Sequence, residues 1–170
     1  MTTTTSHGNQ ALRSVLGHFA SGVTVVTGGE RGSPAGFTCQ GFSSLSLDPP
    51  LIVVFPQRSS RSWADIARAG RFCVNVLSED QDRLSAGFAR SGTDKFAGVE
   101  WTPSPLGSPI LAGVSAWIDC ELVDVHPGGD HFIVVGAVRD CDAVGGSPLV
   151  FHCGQYLSAR PRNSREGLRK

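Results

Sequence analysis

GFSSLSLDPPLIVVF, Gly41 to Phe55, sets three serines, a double proline and an unbroken apolar run side by side. Leu51 to Phe55 is apolar at every position, which is the pattern of a central strand covered on both faces. Pro49 and Pro50 lack the N–H groups that would extend its hydrogen-bonded ladder, so they fix where it begins. Ser43, Ser44 and Ser46 are then expected in a loop ahead of that stiff turn. Their hydroxyls either hydrate the surface or face a phosphate.

Working outward, Leu12, Val15, Leu16 and Phe19 recur at helical spacing, and Gly22 is placed to end that helix. VTVVT (23–27), the turn GGERGSP and AGFTC (35–39) read as a hairpin. SSRSWADIARAG predicts a short helix with Trp63, Ile66 and Ala67 on its buried face and Gly70 at its end. RFCVNVL alternates Phe72, Val74 and Val76 against Cys73, Asn75 and Leu77, a strand with two distinct faces. Ser78 and Gln81 have capping-box spacing ahead of a second short helix carrying Leu84 and Phe88. AWIDCELVDV and HFIVVGAVRDCDAV flank the Gly128-Gly129 turn as long hairpin strands, and PLVFHCGQY closes the pattern. No strand alternates regularly with a long helix, so the fold class is mainly β, an antiparallel barrel with short covering helices. The expected organisation is a disordered leader over residues 1–10, one domain over 11–158 and a basic flexible tail over 159–170.

Fifteen Lys and Arg balance fifteen Asp and Glu in 170 residues, so no global field draws the chain to nucleic acid or anionic lipid. Neither an apolar signal core nor a run near the ~20 apolar residues of a membrane span is present. The five cysteines form no CxxC pair and each lies in or beside an apolar run, so core packing in a reducing cytoplasm is the expectation. No HExxH sequence or close ligand trio joins the histidines, and no metal is expected.

No G-x-G-x-x-G or G-x-x-x-x-G-K-[ST] loop occurs, and no G-x-S-x-G elbow marks a serine nucleophile. Hydroxyls and backbone amides remain able to hold a phosphate. Ser59, Ser60 and Ser62 with Arg58 and Arg61 sit just before a predicted helix, where exposed amides and a charge-assisted arginine fork suit an anion. The same residues also make ordinary caps. Gly129-Asp130-His131 places an acid beside an imidazole at a hairpin tip, an arrangement for ligand orientation or proton relay.

FASGVTVVT, GFTCQGFSSLSLDPPLIVV, SSRSW, GRFCVNVL, FARSGTDKF, GDHFIVVGAV and PLVFHCGQY together resemble the flavin reductase-like family, in order and approximate spacing from Ala11 to Tyr156. The resemblance implies an FMN-binding split barrel of Greek-key type, working as a homodimer. It implies that Thr38, Cys39, Gln40, Gly41 and Phe42 line an isoalloxazine ring, largely through backbone groups. Ser43, Ser44, Ser59, Ser60 and Ser62 would surround the ribityl chain and phosphate, with Arg58 or Arg61 as charge partner. Lys95 would lie near the phosphate or ring edge, Phe96 would pack the cleft, His131 would face the nicotinamide as the catalytic-side residue, and Tyr156 would fall near the pocket. Cys39-Gln40-Gly41 departs from the Thr or Asn-Ser of many relatives, which puts side-chain bonds to the ring in question but not backbone ones. The implied reaction is hydride transfer from NADH or NADPH to FMN or FAD, with reduced flavin released to a separate monooxygenase. A split-barrel flavoprotein that keeps its flavin for another substrate, or a non-enzymatic flavin- or haem-binding module, is the alternative.

Overall fold

The computed structural model describes residues 6–159. Helix α1 (Ser6–Leu16) is followed by β1 (Ser21–Gly22), β2 (Thr24–Glu30), β3 (Ser33–Cys39), β4 (Phe42–Leu47) and β5 (Pro50–Val54). Next come α2 (Arg61–Ala69), β6 (Arg71–Val76), α3 (Asp82–Ala89) and the short strands β7 (Trp101–Pro103) and β8 (Pro109–Leu111). The long pair β9 (Ala116–Gly128) and β10 (His131–Ala143), then β11 (Leu149–His152) and β12 (Gln155–Ser158), complete the order.

The main sheet has seven strands in the order β3-β2-β6-β9-β10-β5-β4, with every pair antiparallel. Its two edge strands, β3 and β4, are consecutive in sequence and joined only by Gln40 and Gly41. A flat sheet would separate those edges by six spacings of about 4.8 Å, roughly 29 Å, whereas the three Cα steps from Cys39 to Phe42 reach at most about 11 Å. The sheet therefore has to curl until its edges meet at this seam, and it closes there without pairing β3 to β4. That is a split barrel, as the expected mainly β antiparallel architecture requires.

Alternation sorts the side chains. Val26, Phe72, Val74 and Cys120 join Trp63 and Ile66 of α2 in one core, while Val23, Val25 and Leu77 join Phe88, Leu111 and Leu149 in a second layer on the other face. Helix α2 fits the sequence reading: Trp63 and Ile66 are buried, Ser60 caps its start by accepting from the Trp63 N–H at 3.2 Å, and Gly70 ends it in the left-handed conformation. Asn75, fully buried between the layers, donates to Val25 and Pro109 carbonyls and accepts from the Leu111 N–H at 2.8 Å, which pins β8 over the sheet.

Several expectations change. Ser43, Ser44 and Ser46 are not in a loop: they form edge strand β4, opposite Val53, Ile52 and Leu51 of β5, with a bulge between Ser44 and Ser46. Strand β5 is consequently second from the edge rather than central, although Ile52, Val53 and Val54 are buried and Pro50 does open it. Helix α1 takes in residues 6–10, which the sequence reading leaves in the leader, and it stops at Leu16, well before Gly22. Residues 1–5 and the basic tail from 160 lie outside the described residues. Gln81 reaches back to the Ser78 N–H as a capping box requires, but the Ser78 hydroxyl donates to the Gly113 carbonyl, so only half the box forms. Cys39, Cys73 and Cys120 are core residues as expected, whereas Cys141 and Cys153 are exposed. The absence of a close ligand trio also fails: His18, His152 and Cys153, remote in sequence, come together beside the end of α1.

Asp119 on β9 is fully shielded from solvent, and its Oδ2 accepts from the Leu106 N–H at 2.8 Å. Burial pushes its carboxyl above the usual range, against the opposing pull of that hydrogen bond. The unfolded chain releases this proton near pH 3.9. Stability is therefore lost as pH rises from that value through the higher folded one. Asp119→Asn keeps the acceptor without the charge. Its Tm is expected above that of the parent at pH 7, with the gap closing as pH falls toward 4; circular-dichroism melts across that range check it, and a lower Tm at pH 7 would overturn the assignment.

Candidate functional site

The seam opens onto a cavity of about 1340 Å³. Pockets for one small ligand hold about 300–1,000 Å³, so this one is larger than a single drug-sized ligand needs. Strand β3 supplies one wall, with Thr38 and Cys39 leading into Gln40 and Gly41. The β5–α2 connection supplies another through Phe55, Gln57, Ser59, Ser60, Arg61 and Ser62. Lys95 and Phe96, and His131 and Phe132 of β10, complete the lining.

Gly41 is required by space. A Cβ there would stand 2.6 Å from Cδ2 of Phe55, so the ring and the seam backbone pack in direct contact, and the Phe55 N–H donates to the Gly41 carbonyl at 3.0 Å. Cys39 behind it directs its thiol to the same carbonyl at 3.3 Å. Burial pushes that thiol up, and backbone hydrogen bonds at Phe55 and Gly41 oppose the shift without cancelling it. A protonated, buried thiol is a poor nucleophile. Cys39 thus shapes the wall rather than reacting.

At the start of α2, exposed amides, the hydroxyls of Ser59, Ser60 and Ser62 and the Arg61 guanidinium share one rim. Such a terminus attracts anions through its unpaired N–H groups and dipole. Ser60 is used as the cap, yet its O–H remains free to donate. Lys95 Nζ lies 3.4 Å from Ser62 Oγ and donates to the Gly36 and Phe88 carbonyls at 3.0 and 2.9 Å. Partial burial pulls its ammonium below the usual lysine range, and the carbonyls hold it in place beside the rim. Phe96 packs edge-on against Phe88, with centroids 5.1 Å apart, and its N–H is fixed by Asp94 Oδ1 at 3.1 Å.

At the tip of the β9–β10 hairpin His131 Nδ1 lies 2.7 Å from Asp130 Oδ1. The hydrogen bond with His131 holds the Asp130 carboxyl below its ordinary range. Two backbone hydrogen bonds tie this hairpin tip to the connection leading into the anion rim, Phe132 N–H to the Pro56 carbonyl at 2.9 Å and Arg58 N–H to the Asp130 carbonyl at 3.0 Å, and together they form the antiparallel bridge of Gln57 with His131.

Of the residues singled out from sequence, Thr38, Cys39, Gln40, Gly41, Ser59, Ser60, Ser62, Lys95, Phe96 and His131 line this one cavity. Phe42, Ser43 and Ser44 do not; they belong to β4, where both serines are exposed. Arg58 also lies off the lining, its guanidinium 5.3 Å over the Phe132 ring, and Arg61 is the arginine on the rim. Tyr156 stands behind the wall: its hydroxyl is 2.9 Å from Ser85 Oγ, and the Ser85 carbonyl accepts from the Thr38 hydroxyl at 2.6 Å. Sequence reasoning missed Phe55, Gln57 and Phe132. Phe55 could have been found as the apolar residue ending the strand opposite a seam glycine; Gln57 carries no comparable signal.

The sequence and the fold around this cavity match known proteins. The flavin reductase like domain covers residues 16–160. The chain is 49% identical over 158 residues to the reductase subunit HsaB of a flavin-dependent monooxygenase from Mycobacterium tuberculosis, spanning 91% of this chain and 84% of that one. The crystal structure of a nitrilotriacetate monooxygenase component B homologue from Mycobacterium thermoresistibile superposes with a TM-score of 0.88 at 46% identity, covering 97% of each chain. The Streptomyces globisporus NADH:FAD oxidoreductase SgcE6, solved with NAD and FAD fragments, gives 0.88 at 30% identity over 96% of this chain and 100% of that one. Extensive likeness in sequence, in split-barrel topology and over nearly the whole length leads to one conclusion: this chain belongs to the flavin reductase-like family.

Proposed function

We propose that the protein is an NAD(P)H:flavin oxidoreductase that reduces FMN or FAD and releases the reduced flavin to a separate monooxygenase. The observation that carries the reading is a large cavity lined both by an anion rim at the α2 terminus and by a histidine paired with Asp130. The relatives named as monooxygenase reductase components support the delivery role.

A flavin supplies hydride-accepting chemistry and a reduced nicotinamide the hydride, so the protein's task is alignment and exclusion of water. Ser59, Ser62 and Arg61 would hold the flavin phosphate, with Lys95 adding positive charge beside Ser62. Gln40 and Gly41 would present backbone groups along the ring edge. The donor set fits: hydroxyls, amides and a guanidinium suit a phosphate, and Gly41 leaves backbone open to close approach. His131, fixed by Asp130, would orient the nicotinamide. No nucleophile is involved.

A homodimer is part of this proposal. Leu12, Val15, Leu16 and Phe19 lie 56–83% exposed around the end of α1, and Leu47 on β4 is 89% exposed. Large apolar side chains left exposed in this way are the kind a second subunit covers. No helix among the described residues is long and apolar enough to cross a membrane.

Anaerobic stopped-flow of the purified protein with NADH or NADPH and added FMN, FAD or riboflavin tests the activity. Flavin bleaching that rises with free flavin is expected; bound flavin that stays oxidised would instead favour a binding module or a flavoprotein acting on another substrate. His131→Ala should lower the reduction rate at limiting nicotinamide about tenfold, the scale of one good hydrogen bond, with flavin affinity unchanged. Loss of flavin binding in that variant would remove His131 from the nicotinamide side. Gly41→Ala forces the Phe55 ring off the seam, an overpacking change of about 1–3 kcal/mol, and should weaken flavin binding as measured by fluorescence titration.

A further inference from the structure

His18, just past the end of α1, and His152 and Cys153, in the hairpin that joins β11 to β12, form a cluster that the cavity does not include. Cys153 Sγ is 3.6 Å from His18 Nδ1 and 3.5 Å from His152 Nε2. All three candidate ligand atoms lie within 4.8 Å of one another. Tetrahedral zinc with bonds of about 2.3 Å to sulfur and about 2.0–2.1 Å to nitrogen sets S···N separations of roughly 3.5–3.6 Å. Both measured separations already meet that requirement. The two imidazoles need only close on each other, and His18 is exposed within the single subunit.

The backbone supports the same reading. Cys153 has φ 48°, and among the described residues it is the only non-glycine with positive φ. With Gly154 at φ 81° it forms the two-residue tip joining His152 to its strand partner Gln155, a turn that ordinarily takes Asn-Gly. Here a cysteine occupies the left-handed position and presents its sulfur to both imidazoles. The Cys153 N–H donates to the Gly17 carbonyl at 2.8 Å, so the tip is docked on the residue next to His18. A strained non-glycine conformation held by its surroundings is a feature that points to function.

The geometry points to a binding site for a thiophilic divalent cation, zinc in first instance, with His18 Nδ1, His152 Nε2 and Cys153 Sγ as ligands and water completing the tetrahedron. The bound ion would tie the end of α1 to the β11–β12 hairpin, joining the two ends of the described chain. Its role is a clamp, separate from the hydride chemistry of the cavity, and it stands or falls independently of the proposed reductase function.

The test uses the full chain without an affinity tag, dialysed against chelator and titrated with cobalt(II), then with zinc. The expected result is one cobalt per chain with a thiolate-to-cobalt charge-transfer band, which zinc abolishes by displacement. Cys153→Ser should remove the band and lower zinc affinity by more than about tenfold, the loss of the one thiolate ligand. His18→Ala should weaken binding, and Cys141→Ser should leave it intact. Saturating zinc should also protect Cys153, but not Cys141, from iodoacetamide, as read by peptide mass spectrometry on the folded protein. The absence of a charge-transfer band, a band that survives Cys153→Ser, or equal alkylation of Cys153 with and without zinc would overturn the proposal.

Discussion

A two-residue link between the edges of a seven-stranded sheet governs this molecule. Because Gln40 and Gly41 must carry the chain from β3 to β4, the sheet curls until its first and last strands lie side by side. The barrel closes by covalent proximity rather than by a ladder, so backbone groups at the seam are left facing the cavity instead of a neighbouring strand. The curl also turns the inward residues of β2, β6 and β9 onto a common core around Trp63 and Ile66 of α2. Fold and site thus arise from the same constraint: the place where the sheet fails to pair is the place where a ligand's ring edge can meet the main chain.

Helix α2 does two jobs from opposite surfaces. Its apolar face plugs the core, while its N-terminal turn, fixed by the Ser60 cap, aims unpaired amides and hydroxyls at the cavity. Lys95 links those jobs to the second layer, since the carbonyls of Gly36 on β3 and Phe88 on α3 hold its ammonium beside Ser62. The positive charge at the rim is therefore set by rigid elements, which favours binding without a large ordering cost.

Much of this was legible in the residues. The hairpin of β2 and β3, the faces of β6, both ends of α2 and the long β9–β10 pair followed from alternation, capping and turn chemistry, all of them local signals. What was not legible depended on partners distant in sequence. Ser43 and Ser44 look like loop or phosphate residues until β5 is seen to pair with them, and the apolar run Leu51–Phe55 looks central because periodicity reports burial but not position within a sheet. Most of the expected cavity residues do converge, because they sit on strand ends and loops that the seam gathers. The approach of His18 to Cys153 could not be read at all, as it spans 135 positions and no spacing motif encodes it.

The hairpin tip and the connection leading into the anion rim are joined by the antiparallel bridge of Gln57 with His131, made of the Phe132-to-Pro56 and Arg58-to-Asp130 hydrogen bonds. Neither half of the cavity can open without straining the other. Under the proposed function, ordering the rim around one ligand would stiffen the tip that meets the second, and thermodynamic reciprocity would make the benefit equal in both directions. Under the proposed function, departure of either ligand would correspondingly loosen the grip on its neighbour, which suits a product that has to leave.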